Sequence, residues 1–186
     1  MSHSNTQRLT DYWRARRGVR MAPLRASVDP ADFADLLPQV FILGRLSPGR
    51  FVFRLSGALL GDLHDRNLRQ SEFGPLWATA DRPQLGSAME SALRRGQALV
   101  IEAEGHTRSD KSAELEILLA PMTSTGEEVD RFLGLYQPTS ALSRLRDEPI
   151  GRLSIKQILP VSQHADGQAQ PLAPLRLAAV HGRRIA

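Results

Sequence analysis

Residues 99–137 read LVIEAEGHTRSDKSAELEILLAPMTSTGEEVDRFLGLYQ, and this stretch decides the fold. Leu99, Ile101 and Ala103 alternate with Val100, Glu102 and Glu104; Leu115, Ile117 and Leu119 alternate with Glu114 and Glu116. A period of two is the mark of a strand with one buried face. Strands are predicted over 99–107, 114–121 and 131–137, joined by polar hairpin connections. Upstream, an apolar strand over 40–46 meets the turn Ser47-Pro48-Gly49-Arg50 and a second strand over 51–55. There Phe51, Phe53 and Leu55 are assigned to one face, Val52 and Arg54 to the other. Between the hairpin and the late strands lie a short helix at best over 57–63 and an irregular polar stretch. Leu68, Phe73 and Trp77 anchor that stretch. A clear helix follows over 82–95, with Asp81 as its cap, Leu85, Met89, Ala92 and Leu93 as its stripe, and Gly96 as its stop. Hairpin, helices, then three strands is an α+β order.

Residues 6–20 read as an amphipathic helix, with Leu9, Tyr12, Trp13 and Val19 at helical spacing among Arg14, Arg16, Arg17 and Arg20. Asp29-Pro30 opens a short helix that runs to about Leu37. After the last predicted strand come a charged link over 143–148 and an ordered segment over 150–161 that is either strand or helix. Residues 162–174 are rich in Gln, Ala, Pro and Gly and read as a linker, and 175–186 form a basic tail. The expected division is an N-terminal helix and lead-in (1–24), the main domain (25–142), an ordered extension (143–161) and a flexible tail (162–186).

The chain has 186 residues, no cysteine and a formal net charge of +4. Residues 26–143 hold 11 basic and 16 acidic residues, so an acidic body carries basic ends. That distribution argues against a globular nucleic-acid footprint. The absence of cysteine excludes disulfides, thiol nucleophiles, Cys-ligated metal sites and cysteinyl-flavin photochemistry. No apolar run approaches the ~18 residues of a membrane span. The first ten residues lack the apolar region of a secretory signal, so a cytoplasmic protein is expected.

Three groups of residues carry a family resemblance. The first is Tyr12-Trp13, Arg17-Gly18, Pro23, Arg25, Asp29-Pro30 and Leu36-Leu37-Pro38. The second is Phe53-Arg54-Leu55-Ser56-Gly57 with Leu63, Arg66, Leu68, Phe73 and Trp77. The third is Glu116, Leu118-Leu119, Pro121-Met122 and Leu133-Gly134. Together these runs resemble short, standalone bacterial PAS-like proteins over roughly residues 10–160. The chain departs from that pattern at Ala58, where the family has Thr, and at His64-Asp65, where it often has Phe-Gly. The resemblance implies a five-stranded antiparallel sheet in the order 2-1-5-4-3 with helices over one face. It also implies an apolar pocket between sheet and helices, and a leading helix that packs across the outer face or against a second subunit.

The candidate pocket set is Phe41, Phe53, Leu55, Leu60, Leu63, Trp77, Leu85, Met89, Ile101, Leu115 and Ile117, all first of all core positions. Arg54 and His64 are the candidate polar anchors; a guanidinium offers a fork of donors to a carboxylate or phosphate. Leu9, Tyr12, Trp13, Arg16 and Val19 are the candidates for a dimer interface. No catalytic residue and no metal site is expected, because the histidines lack ligand spacing and no nucleophile motif is present. Haem and flavin are not expected: the helix over 82–95 holds no histidine, leaving only His64 as an axial haem ligand, and no cysteine is present for a flavin adduct. The expected function is a non-catalytic regulatory or sensory module, homodimeric and signalling to an unidentified partner. A small apolar or anionic ligand is expected as its signal. The alternatives are an adaptor that binds an anionic protein or nucleic acid through the basic ends, and a small-ligand enzyme. The basic tail has no aromatic residues for base stacking, so nucleic acid is the less expected partner.

Overall fold

The alternation of period two builds one antiparallel sheet of six strands in the computed structural model, which describes residues 2–161. The strands are β1 (Val40–Ser47), β2 (Arg50–Ser56), β3 (Leu99–His106), β4 (Ser112–Thr123), β5 (Val129–Pro138) and β6 (Arg152–Pro160), in the order β2-β1-β5-β4-β3-β6. The helices are α1 (Ser4–Arg17), α2 (Ala58–His64) and α3 (Arg82–Arg95), with 3-10 segments at Arg25–Ser27, Pro30–Gln39, Gly74–Leu76 and Leu142–Leu145. The expected tail over 162–186 lies outside the described residues.

The sixth strand is the main addition to the expected sheet. Residues 152–160 pair antiparallel with β3 on the edge away from β4. Their periodicity is hard to read because the register shifts between Ile155 and Gln157, leaving Lys156 as an extra residue. A bulge of this kind moves the following side chains to the other face, so the segment fits neither period cleanly. Residues 77–81 fasten the start of β6. Ala78 N–H donates to the Leu153 carbonyl at 2.8 Å, and Ile155 N–H donates to Asp81 Oδ2 at 2.9 Å. Asp81 does precede α3, but its carboxylate makes no cap bond and holds β6 instead.

The inner face of the sheet packs against α2, α3 and the Gly74–Leu76 turn through Phe41, Phe53, Ile101, Ile117 and Tyr136, all fully buried. The outer face is covered in its middle by α1 and by Pro30–Gln39. Leu9, Trp13, Phe33 and Leu36 there bury Ile42, Leu118, Leu133 and Leu135. The expected dimer residues Leu9 and Trp13 are therefore spent on the chain's own sheet, and Trp13 Nε1 donates to the Pro121 carbonyl at 2.7 Å. The helix also ends earlier than its apolar spacing suggests. Gly18 adopts a positive φ of 55°, a conformation that stops a helix, and Val19 lies beyond it, fully exposed. Tyr12 stays at the helix edge, stacking edge-on against Phe33 and beneath the Arg16 guanidinium. Arg16 also binds Asp32 at 2.6 Å, and Arg8 makes a two-point pair with Asp35.

Candidate functional site

The space between sheet and helices is largely filled by aromatic rings. Phe41, Phe53 and Phe73 pack mutually with centroids 5.6–6.0 Å apart, and Phe73 meets Trp77 edge-on at 5.6 Å. Each is at most 1% exposed. Gly134 makes this arrangement feasible: a Cβ there would stand 2.2 Å from the Phe41 ring. Of the expected pocket residues, Leu60, Ile101, Leu115 and Ile117 join this core as buried side chains, and Leu63 packs against it partly buried. The indole Nε1 of Trp77 is buried with no acceptor among the described residues.

His64 closes the far end of the same core. Its Nδ1 lies 2.9 Å from the Ile150 carbonyl and its Nε2 lies 3.1 Å from the Tyr136 hydroxyl. A carbonyl can only accept, so Nδ1 carries the proton and the tyrosine donates to Nε2. The imidazole is therefore satisfied as a neutral ring. Burial is the main cause that pushes its pKa down to about 4, and the charge of Arg66 adds to it. Burial likewise pushes the Tyr136 phenol well up. With Ile150 N–H donating to the Leu63 carbonyl at 2.7 Å, this node ties α2 to the chain that leads into β6. His64 is structural glue between three elements.

A cleft of about 220 Å³ opens beside the aromatic cluster, between the start of β2, residues 72–75 and α3. Phe51, Phe73, Leu85 and Met89 form its apolar floor, and Arg50, Glu72 and Arg82 its rim. Two of the expected pocket residues, Leu85 and Met89, thus meet in one place. The wall is set by Glu90, which accepts from Gly49 N–H at 2.8 Å and Arg45 Nε at 2.9 Å and so fixes the hairpin tip to α3. Arg50 pairs with Glu72 across the mouth and holds that carboxyl below its usual range by hydrogen bonding. Arg82 Nε donates to the Trp77 carbonyl at 3.1 Å, and its terminal nitrogens make no hydrogen bond with any described residue. Arg50 and Arg82 were not singled out in the sequence; an arginine in a turn and one opening a helix look like ordinary surface residues.

Arg54 and Leu55 fall elsewhere than expected. The pairing of β1 with β2 steps from Leu43↔Phe53 to Ile42↔Leu55, so Arg54 is the extra residue of a bulge. Leu55 is thereby turned to the outer face beside Ile42 and is 42% exposed. Arg54 is exposed as well, and lies over Gly44: a Cβ on Gly44 would stand 2.7 Å from Arg54 Nε. Neither residue lines the inner space. At the opposite end of the outer face, Glu102 faces Glu116 and Glu104 faces Glu114. Lys156 binds Glu114 at 2.8 Å, while Glu116 is buried and accepts from His3 N–H at 2.9 Å. Among the described residues no group of three or more His, Cys, Asp or Glu side chains can hold a metal ion.

A family model described as a PAS domain matches residues 1–137. The chain belongs to the PAS domain family. The match ends at the close of β5, so β6 lies beyond the matched region. Among solved structures this PAS domain is similar to a Rhodobacter sphaeroides LOV protein at 13% identity and a TM-score of 0.46, over 63% of this chain and 72% of that one. It is also similar to a light-oxygen-voltage domain studied with a flavin analogue, at 14% identity and a TM-score of 0.46, over 62% and 88%. A third similarity is to an RNA-binding light-oxygen-voltage receptor, at 14% identity and a TM-score of 0.46, over 67% of this chain and 35% of that one. No curated protein matches the chain. PAS domains are sensory and regulatory modules, and among the described residues no helix of this one is long and apolar enough to cross a membrane.

Proposed function

We propose that the chain is a non-catalytic regulatory PAS module of the cytoplasm that works as a homodimer and senses a small apolar carboxylate. The ligand's place is the cleft between β2, residues 72–75 and α3. The observation that carries this reading is the cleft itself: an apolar floor of four side chains under two arginines, with Arg82 free to offer its terminal N–H groups. A carboxylate is the anion whose geometry suits such a fork. The rim contains Arg50, Glu72 and Arg82 as its only ionisable groups, with no nucleophile beside a base, which favours binding over catalysis.

The volume favours a ligand smaller than a flavin. About 220 Å³ is below the ~300–1,000 Å³ of ordinary cofactor pockets. The space further in is taken by Phe41, Phe53, Phe73 and Trp77. The adaptor reading is weakened at the N-terminus because Arg8, Arg14 and Arg16 already pair with Asp35, Asp11 and Asp32.

Calorimetric titration with hexanoate and phenylacetate tests the ligand. Binding is expected in the wild type, and Arg82→Gln is expected to weaken it by roughly tenfold, the worth of one charge-assisted hydrogen bond. Absence of binding at millimolar carboxylate, or equal binding by Arg82→Gln, refutes the site. Native mass spectrometry tests the dimer, and a monomer at micromolar concentration refutes it.

A further inference from the structure

The geometry points to a second binding site, for a phosphoryl dianion, where the β3–β4 turn meets the start of β6. Its ligand is the free phosphate ion or the head of a small phosphomonoester. The first observation is an open notch of about 400 Å³, lined by His106, Thr107, Arg108, Asp110, Gly151 and Arg152. It shares no residue with the α3 cleft and stands whether or not that cleft takes a carboxylate. None of its lining side chains is apolar, whereas four apolar side chains floor the cleft. Two guanidiniums and an imidazole stand against the single carboxylate of Asp110, so the notch favours a polar anion.

The second observation is that the cations are free while the backbone beneath them is held. Arg108 and Arg152 make no hydrogen bond or ion pair with any described residue. The turn that carries Arg108 is fixed on both sides. Thr107 N–H donates to the Lys111 carbonyl at 2.8 Å, and Lys111 N–H donates to Thr107 Oγ1 at 3.1 Å. Glu148 accepts from Ser109 Oγ at 2.5 Å and pairs with Lys111. Arg152 is framed in the same way: Gly151 N–H donates to the His106 carbonyl at 2.9 Å, and Ala78 N–H to the Leu153 carbonyl at 2.8 Å. Donors that ride on fixed backbone lose less freedom when a ligand arrives.

The third observation is the imidazole between them. His106 and Arg152 are register partners on adjacent strands, which sets their side chains next to one another. His106 Nε2 lies 2.8 Å from Ser154 Oγ, and Nδ1 has no partner among the described residues. A bound anion selects the tautomer in which Ser154 donates to Nε2 and Nδ1 carries the proton. Donors then come from a turn, from the end of β3 and from the start of β6. A planar carboxylate is served by one guanidinium fork, but a phosphoryl group has three oxygens that point in different directions and can use all three donors. The space left beyond the head is polar, and Asp110 there can accept from a hydroxyl of the ligand's body.

The test titrates the full chain with inorganic phosphate and with glycerol 3-phosphate at constant ionic strength, with chloride as the control, and reads amide chemical shifts. Saturable shifts are expected at residues 106–111 and 151–153 and not at 49–51 or 85–89. Arg108→Gln and Arg152→Gln are each expected to weaken binding roughly tenfold, the worth of one charge-assisted hydrogen bond. Unchanged amide shifts elsewhere show that the variants keep their fold. Asp110 has a positive φ of 63°, which asparagine also adopts, so Asp110→Asn removes the opposing charge without strain. It is expected to tighten inorganic phosphate roughly threefold. Tighter binding of glycerol 3-phosphate supports the site and assigns it to a phosphorylated small molecule; tighter binding of inorganic phosphate supports it and assigns it to the free ion. No saturation at tens of millimolar of either probe overturns the proposal. So does the same response to chloride, or an affinity that neither arginine variant changes.

Discussion

Gly134 and Gly44 use the same device on opposite faces of one sheet. Each is a strand glycine whose missing side chain admits a large group from a neighbouring strand, Phe41 over Gly134 and Arg54 over Gly44. On the inner face the guest is a rigid ring, fully buried and in contact with two other phenylalanines. On the outer face it is the flexible arm of an exposed cation. The difference shows that close approach to a glycine has no fixed energetic meaning. Where the guest cannot move, the glycine is a requirement of folding. Where it can swing into water, the glycine accommodates a charged side chain at little cost to the fold.

The largest expected effect lies on the inner side. Phe73→Ala removes the ring that joins Phe41, Phe53 and Trp77, and is expected to destabilise the fold by about 3–5 kcal/mol in denaturant unfolding. A loss below about 1 kcal/mol would mean that the cluster is loosely packed and that the inner face has room to spare.

Acidification probes the same face through His64. Its folded pKa of about 4 lies below the ordinary 6.5, so the unfolded chain binds the proton more readily. The linked stability is fully present above pH 6.5 and is lost as the pH falls towards 4, by about 3 kcal/mol in all. His64→Gln is expected to flatten that part of the profile. If the wild type loses nothing between pH 6.5 and 4, the buried neutral imidazole is wrong.

The two glycines give the smaller effects and the direct comparison. Gly134→Ala must displace the Phe41 ring and is expected to cost about 1–3 kcal/mol, the usual price of overpacking. Gly44→Ala meets only the side chain of Arg54 and is expected to change stability by less than about 0.5 kcal/mol. It nevertheless moves the Arg54 guanidinium, so the amide chemical shifts of residues 44 and 54 are expected to change while the melting curve stays put. Equal stability losses at the two sites would erase the distinction between them.

Much of the fold was legible because its late strands alternate without interruption. Val100, Glu102 and Glu104 do lie on one face, and Glu114 and Glu116 do face them. The helix over 82–95 was equally clear, since Leu85, Met89, Ala92 and Leu93 all face the core. The reading failed at two of the sheet's four register shifts. One extra residue at Arg54 moved Leu55 from the expected inner face to the outer, and one at Lys156 hid the strand character of 152–160. Nothing in the local chain marks a bulge when the partner strand is unknown. The cleft was half legible: Leu85 and Met89 come from a visible helical stripe and Arg82 lies one turn before Leu85 on the same helix, but Arg50 joins them only because Glu90 holds the hairpin tip against α3.

The sequence by itself determined the α+β order, the strand faces in 99–137 and the PAS resemblance, because hydrophobic period and turn chemistry act over a few residues. Only the tertiary structure decided which side chains meet. Leu9 and Trp13 look alike whether they bind a second subunit or the chain's own sheet, and here they are buried on the latter. Arg54 reads as a partly buried strand residue until the register with β1 is known. Contacts between residues distant in the chain depend on register and crossing geometry, which no short-range pattern encodes.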